Sequence, residues 1–89
     1  IISMSLGCSN PVQQVRKAIK LAEVKNIPVF CAAGNAGNMN EVFFPAAYPE
    51  TLGIGAIDKN FNLASFSNSI VNKLTNKNID FLAPGVDIL

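Results

Sequence analysis

The chain reads as short apolar runs separated by longer polar stretches. Ile1 to Leu6 has the pattern of a buried strand, which Gly7 ends. Asn10-Pro11 then has the form of a helix start, with Asn at the N-cap and Pro at the first helical position. Val12, Val15, Ile19 and Ala22 follow at spacings of three and four, with Leu21 beside them. Gln13, Arg16, Lys17, Lys20 and Lys25 mostly take the other face. This predicts an amphipathic helix to about Lys25, closed by Asn26 ahead of Pro28. Pro28 to Ala33 is a second strand, apolar throughout. Strand, helix and strand with short connections form a right-handed βαβ unit, so the two strands should run parallel.

Gly34 to Glu50 has the composition of a loop, with Gly34-Asn35-Ala36-Gly37-Asn38 at its head and Pro45 and Pro49 further on. Leu52 to Ile57 reads as a third strand, whose Gly53 and Gly55 imply close packing or close backbone approach. Asp58-Lys59-Asn60 is a turn, Ala64 to Ser67 a short extended piece, and Asn68 to Asn78 a polar surface loop rich in Asn and Lys. Ile79 to Ala83 forms a last short strand stopped by Pro84-Gly85. The strands are apolar on both faces, the pattern of a sheet covered on both sides. One helix covers one face only. An uncovered face would expose several hundred square ångströms of apolar surface, more than a monomer usually carries, so more protein is expected here, from the same chain, a partner or a second copy.

Composition sharpens this. Of 89 residues, 49% are hydrophobic and 15% charged, which argues against disorder and for one small domain at most. Such a length buries only about 60 to 65% of its unfolded surface, a marginal core. The formal charge of +1 offers no footprint for nucleic acid or an anionic membrane. No apolar run is long enough for a membrane span, and no charged-then-apolar leader precedes Ile1, although the chain starts and stops inside apolar runs as an internal piece would. Cys8 and Cys31 lack metal-ligand or CxxC spacing and read as two small, buried or half-buried thiols. There is no histidine, so no Ser-His-Asp or Cys-His constellation and no histidine metal site can be completed among these residues.

Four stretches, in order and at consistent spacing, carry a resemblance. They are Ser3-Met4-Ser5-Leu6-Gly7, then Ala32-Ala33-Gly34-Asn35, then Tyr48-Pro49 leading into Gly53-Ile54-Gly55-Ala56, and last Ser65-Phe66-Ser67 with Ala83-Pro84-Gly85. Each alone is weak; together they resemble the subtilisin-like serine proteases over nearly the whole chain. The resemblance implies an α/β fold, part of a doubly wound parallel sheet, in an incomplete domain: residues 1–89 as an internal piece of one catalytic domain, with no second domain. The family's catalytic Asp and His would precede this segment and its nucleophilic Ser would follow it.

By that resemblance Asn35 is the oxyanion-hole asparagine. Acyl transfer places negative charge on the scissile carbonyl oxygen, and a fixed, neutral NH2 donates to it as that charge develops. Read without the resemblance, Asn35 is an ordinary turn residue. Ser5, Leu6 and Gly7 resemble the edge that receives the substrate as an added antiparallel strand. Ala32, Ala33 and Gly34 resemble the opposite wall of the pocket for the residue before the scissile bond. Two departures stand out. Phe43-Phe44-Pro45 lies where the pocket floor is often small, so Phe43 favours small substrate residues if it points inward and does not if the alignment slips by one. Cys8 stands near the substrate strand where glycine is common, which implies sensitivity to thiol reagents. Ala46, Tyr48 and Thr51 fall where some members hold a weak cation on backbone carbonyls; such ligation leaves no side-chain signature, so no metal and no cofactor is predicted in this segment, with calcium allowed elsewhere in the family's domain.

The resemblance implies a serine endopeptidase acting on peptide or protein, secreted or at the cell surface, with no nucleic-acid or membrane partner. The remainder of the catalytic domain, or self-association, would cover the open sheet face. The isolated segment is expected to be inactive. A non-catalytic relative used for binding or assembly is the competing reading, separated from the first by the adjoining sequence. A nucleotide-binding α/β module is disfavoured, because Gly53-Ile54-Gly55 lies within a strand and no phosphate loop is present. Gly7-Cys8-Ser9-Asn10-Pro11 fails the nucleophile elbow of α/β-hydrolases at its last residue.

Overall fold

The computed structural model describes residues 1–88. The elements are β1 (Ile2–Met4), α1 (Gln13–Val24), β2 (Val29–Ala32), β3 (Leu52–Ile57) and β4 (Phe81–Pro84). They form a parallel sheet in the order β1-β2-β3-β4, with α1 crossing between β1 and β2. Met4 pairs with Cys31 and Cys31 with Gly53, so this row shares one face. Ile19 and Ala22 of α1 join Val29, Cys31, Ala33 and Val42 in the core on that side. Phe30, Ala32, Ile54 and Ala56 point the other way and are only half-buried. The expectation of a single covered face therefore describes the described residues.

Three local readings need correction. The first strand is three residues, not six, and it is not buried: Ile2 is 41% and Leu6 57% exposed. Nothing among the described residues pairs with its outer edge. The helix starts at Gln13, two residues later than Asn10-Pro11 suggested, and its N-cap is Val12, whose side chain cannot accept a hydrogen bond. The Tyr48 hydroxyl accepts from the Val12 N–H at 3.0 Å instead, so a residue 36 positions away does the capping. The C-terminus follows expectation. Asn26 takes the left-handed conformation at φ 57°, its N–H bonds to the Glu23 carbonyl, and the Ile27 N–H reaches back to Ala22 at 2.9 Å, a Schellman closure.

The third correction concerns the stretch from Asn68 to Asn78, which is not merely a surface loop. Asn68 and Asn72 are almost fully buried. The Asn72 amide donates to the Val42 carbonyl at 2.9 Å, and its oxygen accepts from the Leu74 N–H at 2.9 Å. The reason lies opposite, in residues 34–51, which form no strand or helix. Apart from single bridges at Glu41 and Phe44, their backbone groups have no ladder partners, and buried polar groups must be paired. Asparagine carries both a donor and an acceptor and fills that need. The two glycines of β3 are close-packed as expected: a Cβ on Gly53 would stand 3.3 Å from the Ala46 carbonyl oxygen, and one on Gly55 3.0 Å from Ile79 and Leu82 side-chain carbons.

Candidate active site

A cavity of about 430 Å³ runs along the half-buried face of the sheet, where Phe30, Ile54 and Ala56 lie, and reaches the carboxyl ends of β1 and β2. Ser5, Ala32, Ala33, Gly34 and Asn35 all line it, so five of the seven candidate residues meet in one place. Ligands of open α/β sheets gather at such strand ends. Leu6 and Gly7 border a neighbouring apolar pocket of about 200 Å³, with Cys8, Val12, Phe44 and Tyr48.

Ser5, Leu6 and Gly7 continue past the end of β1 as exposed residues outside any regular element. The run is then tied down at Cys8, which exchanges two backbone hydrogen bonds of 2.8 Å with Phe44. Gly7 allows a close approach here: a Cβ would stand 3.2 Å from the Phe44 carbonyl oxygen, so a larger residue would require Phe44 to shift by a few tenths of an ångström. On the opposite wall Ala32 is half-buried and Ala33 is buried. The Ala33 N–H donates to Ile54 and its carbonyl accepts from the Phe43 N–H, both at 2.9 Å, so Ala33 holds the wall rather than offering groups of its own.

Asn35 is exposed, and the turn that presents it is built by its neighbours. Gly34 takes φ +115°, a conformation that favours glycine. Asn68 clamps the turn three ways. Its backbone N–H donates to the Gly34 carbonyl at 3.0 Å, its side-chain oxygen accepts from the Ala36 N–H at 2.9 Å, and its amide nitrogen donates to the Glu41 carbonyl at 2.9 Å. Sequence reading missed this residue. Its only signal was an asparagine directly after the Ser65-Phe66-Ser67 stretch, indistinguishable in the sequence from Asn76 and Asn78, which are exposed.

Phe43 lies between the two walls. A Cβ on Gly34 would stand 2.8 Å from Phe43 Cδ2, and one on Gly7 3.4 Å from Phe43 Cβ. Behind the site, Arg16 Nε donates to Glu50 Oε1 at 3.0 Å, and the guanidinium lies 5.1 Å from the centre of the Tyr48 ring. Burial pushes the Glu50 carboxyl upward, but the Arg16 hydrogen bond and charge outweigh it and hold its pKa below the usual value. The buried Cys31 thiol is pushed up by desolvation, which the Lys77 charge and a Thr51 hydrogen bond only partly offset. Among the described residues no group of three or more His, Cys, Asp or Glu is placed to hold a metal, and no helix is long and apolar enough to cross a membrane.

Comparison with known proteins identifies the family. The family model described as "Subtilase family" matches residues 1–88. The "Major intracellular serine protease" of Bacillus subtilis is 41% identical over all of this chain, and Subtilisin DY of Bacillus licheniformis is 34% identical over 99% of it. The chain spans 27% and 31% of their lengths. Among solved structures, the prenylagaramide maturation protease PagA superposes with a TM-score of 0.79 at 30% identity, covering 98% of this chain and 31% of its own. Sphericase gives 0.77 at 28%, covering 94% of this chain and 31% of its own. Expectation and comparison meet on the same point: the chain belongs to the subtilase family of serine peptidases.

Proposed function

We propose that these residues are the oxyanion side of a subtilase catalytic domain, part of an endopeptidase whose Asp, His and Ser lie elsewhere in the complete protein. The observation that carries this is the convergence of Asn35, Ser5, Ala32 and Gly34 at the strand-end part of one cavity, the rest of which runs along the half-buried sheet face. An extended peptide would pair with the free backbone edge of Ser5, Leu6 and Gly7, laying its scissile carbonyl toward Asn35. As a nucleophile adds to that carbonyl, the oxygen gains negative charge. The Asn35 amide meets it with a donor already in place, so little reorganisation is needed at the barrier. A neutral donor also adds no charge beside the nucleophile.

In the complete protease, Asn35→Ala should lower kcat by about 10²–10³ with little change in KM, the size known for this donor in subtilisin itself rather than worked from the present geometry. Unchanged kcat would sink the assignment. Upstream Asp and His and downstream Ser in the adjoining sequence separate this reading from a non-catalytic relative. The half-exposed second sheet face, with Phe30, Ile54 and Ala56, is proposed to be covered by the rest of the same domain. No cofactor is proposed for this segment. Export also stands as a proposal; two relatives at 41% identity carry "intracellular" in their names, so fractionation of cells and medium is the test.

A further inference from the structure

Burial alternates along residues 41–44: Val42 and Phe44 are buried, Glu41 and Phe43 half-buried. Single bridges at Glu41 and Phe44 mark strand-like pairing at both ends of the run. A period of two puts Glu41 and Phe43 on one face, about 7 Å apart. Phe43 is the member that meets the proposed site. Its Cδ2 lies 2.8 Å from where a Gly34 Cβ would stand, and its Cβ 3.4 Å from where a Gly7 Cβ would stand. Glu41 is one step further out. Both residues line an open cavity of about 270 Å³ together with Ser9, which follows Gly7 by two residues, so this space begins where the two walls end. Glu41 is the only charged residue lining it among the described residues. Its Oε2 accepts from the Lys73 N–H at 3.0 Å, and no lysine or arginine side chain pairs with it among the described residues. The Asn68 amide donates to its carbonyl at 2.9 Å, so Glu41 is held at backbone and side chain alike. The other amides lining the cavity are already engaged, Asn40 with the Ala36 carbonyl and Asn72 with the Val42 carbonyl.

A carboxylate that is half-buried, fixed and without a counter-charge gains from a cation brought to it. We propose that Glu41 determines specificity at the site proposed above, by drawing the cationic head of a lysine or arginine that stands before the scissile bond. This rests on the reading of Ser5, Leu6 and Gly7 and of Ala32, Ala33 and Gly34 as the substrate walls. Phe43 raises the floor between them, so a side chain entering there turns outward along its ring. A branched or aromatic side chain is too wide to make that turn. An unbranched stem makes it: a lysine spans about 6 Å from Cα to Nζ, close to the step from Phe43 to Glu41. Its methylenes lie on the ring while its ammonium reaches the carboxylate. The substrate class is therefore a peptide with a basic residue before the scissile bond, with small residues admitted because they need no room.

The test uses the complete protease and two peptides that differ only before the scissile bond, one with lysine and one with norleucine, its uncharged match in length. At low salt the lysine peptide should have the higher kcat/KM, by about fivefold. Glu41→Gln keeps the size of the side chain and the acceptor for the Lys73 N–H, and it should bring that ratio close to one. Raising the salt to about 0.5 M should shrink the ratio in the unchanged protein, a measurement that needs no variant. A structural role for Glu41 would move both peptides together and leave the ratio alone. Equal cleavage of the two peptides by the unchanged protein, or a ratio that survives Glu41→Gln, would overturn the proposal. Calorimetry with product peptides ending in lysine or norleucine gives the same ranking without turnover. If Asn35→Ala leaves kcat unchanged while these products still rank by charge through Glu41, the oxyanion assignment fails and this one stands. If Asn35→Ala lowers kcat while the ratio ignores Glu41, only this one fails. If no such peptide is cleaved or bound, both fail.

Discussion

Replacing Asn68 by Ala should loosen the turn that presents Asn35, and the structure sets the size of the effect. The substitution removes two side-chain hydrogen bonds, one from the Ala36 N–H and one to the Glu41 carbonyl, each 2.9 Å. A made hydrogen bond contributes about 0.5–1.5 kcal/mol net, whereas a buried group left without a partner costs about 1–3 kcal/mol. Ala36 is exposed and Glu41 half-buried, so water reaches the freed groups in part and the lower figures apply to them. Asn68 itself is fully buried, and its amide packs where a Gly34 Cβ would be, so truncation also leaves a small void. Together these give a loss of about 2–4 kcal/mol in the complete domain. A merely structural role would stop there. If Asn68 positions Asn35, kcat should fall with little change in KM, and the fall should shrink when Asn35 is already Ala. A double-mutant cycle on kcat measures this coupling. Strictly additive effects, or a stability loss below about 0.5 kcal/mol, would refute the reasoning.

Phe43→Ala should open the space between Gly7 and Gly34 and shift preference before the scissile bond toward larger side chains. We expect kcat/KM for Phe over Ala substrates to rise by about tenfold or more, and an unchanged ratio would place the substrate elsewhere. Thiol reagents should label exposed Cys8 in the folded protein and leave Cys31 untouched until unfolding, since Cys31 is 1% exposed and its thiol is pushed up by burial. Peptide mapping of the label checks the order of reaction. The Glu50 carboxyl has a lowered pKa when folded, so the unfolded chain binds more protons in acid. Its contribution is present above the ordinary carboxyl pKa of about 4.3 and is lost as pH falls through the lowered one. Glu50→Gln should remove that part of the acid dependence, no more than about 1 kcal/mol because Arg16 is 37% exposed and screened. A pH series of denaturation midpoints measures it.

The βαβ unit, the third strand and its two close-packed glycines were legible because periodicity and small-residue placement act locally. Short stretches in a fixed order single out Asn35 and the residues proposed as its two walls, and the fold brings five of these seven to one cavity; their roles stand as proposed above. What escaped depends on contacts distant in sequence. The helix start was misjudged because Asn10 and Pro11 look like a cap while Tyr48 performs the capping. The first strand was judged buried from its composition, but burial belongs to whatever packs beside it. Asn68, Asn72 and Lys77 were read as solvated, since polarity alone does not distinguish a residue facing water from one facing an unpaired backbone. The contacts of Lys77 were least visible of all, being made mostly to carbonyls that every residue has.

These three polar residues share one task. Residues 34–51 carry the Asn35 turn and the loop that follows it without a strand or helix of their own, so an extended backbone ladder cannot make them rigid. Asn68 holds the turn at Gly34 and Ala36, Asn72 holds Val42, and Lys77 holds Ala46, Tyr48 and Thr51. All three come from the segment between β3 and β4. An oxyanion donor is useful only if it is already in place when charge appears, because reorganising it at the barrier would consume the stabilisation it offers. The clamps on the turn that carries Asn35 lie within this chain. The electrostatic half of the proposed site is therefore organised independently of the histidine this segment lacks, and removing the triad nucleophile from the complete protease should leave the Asn35 turn intact.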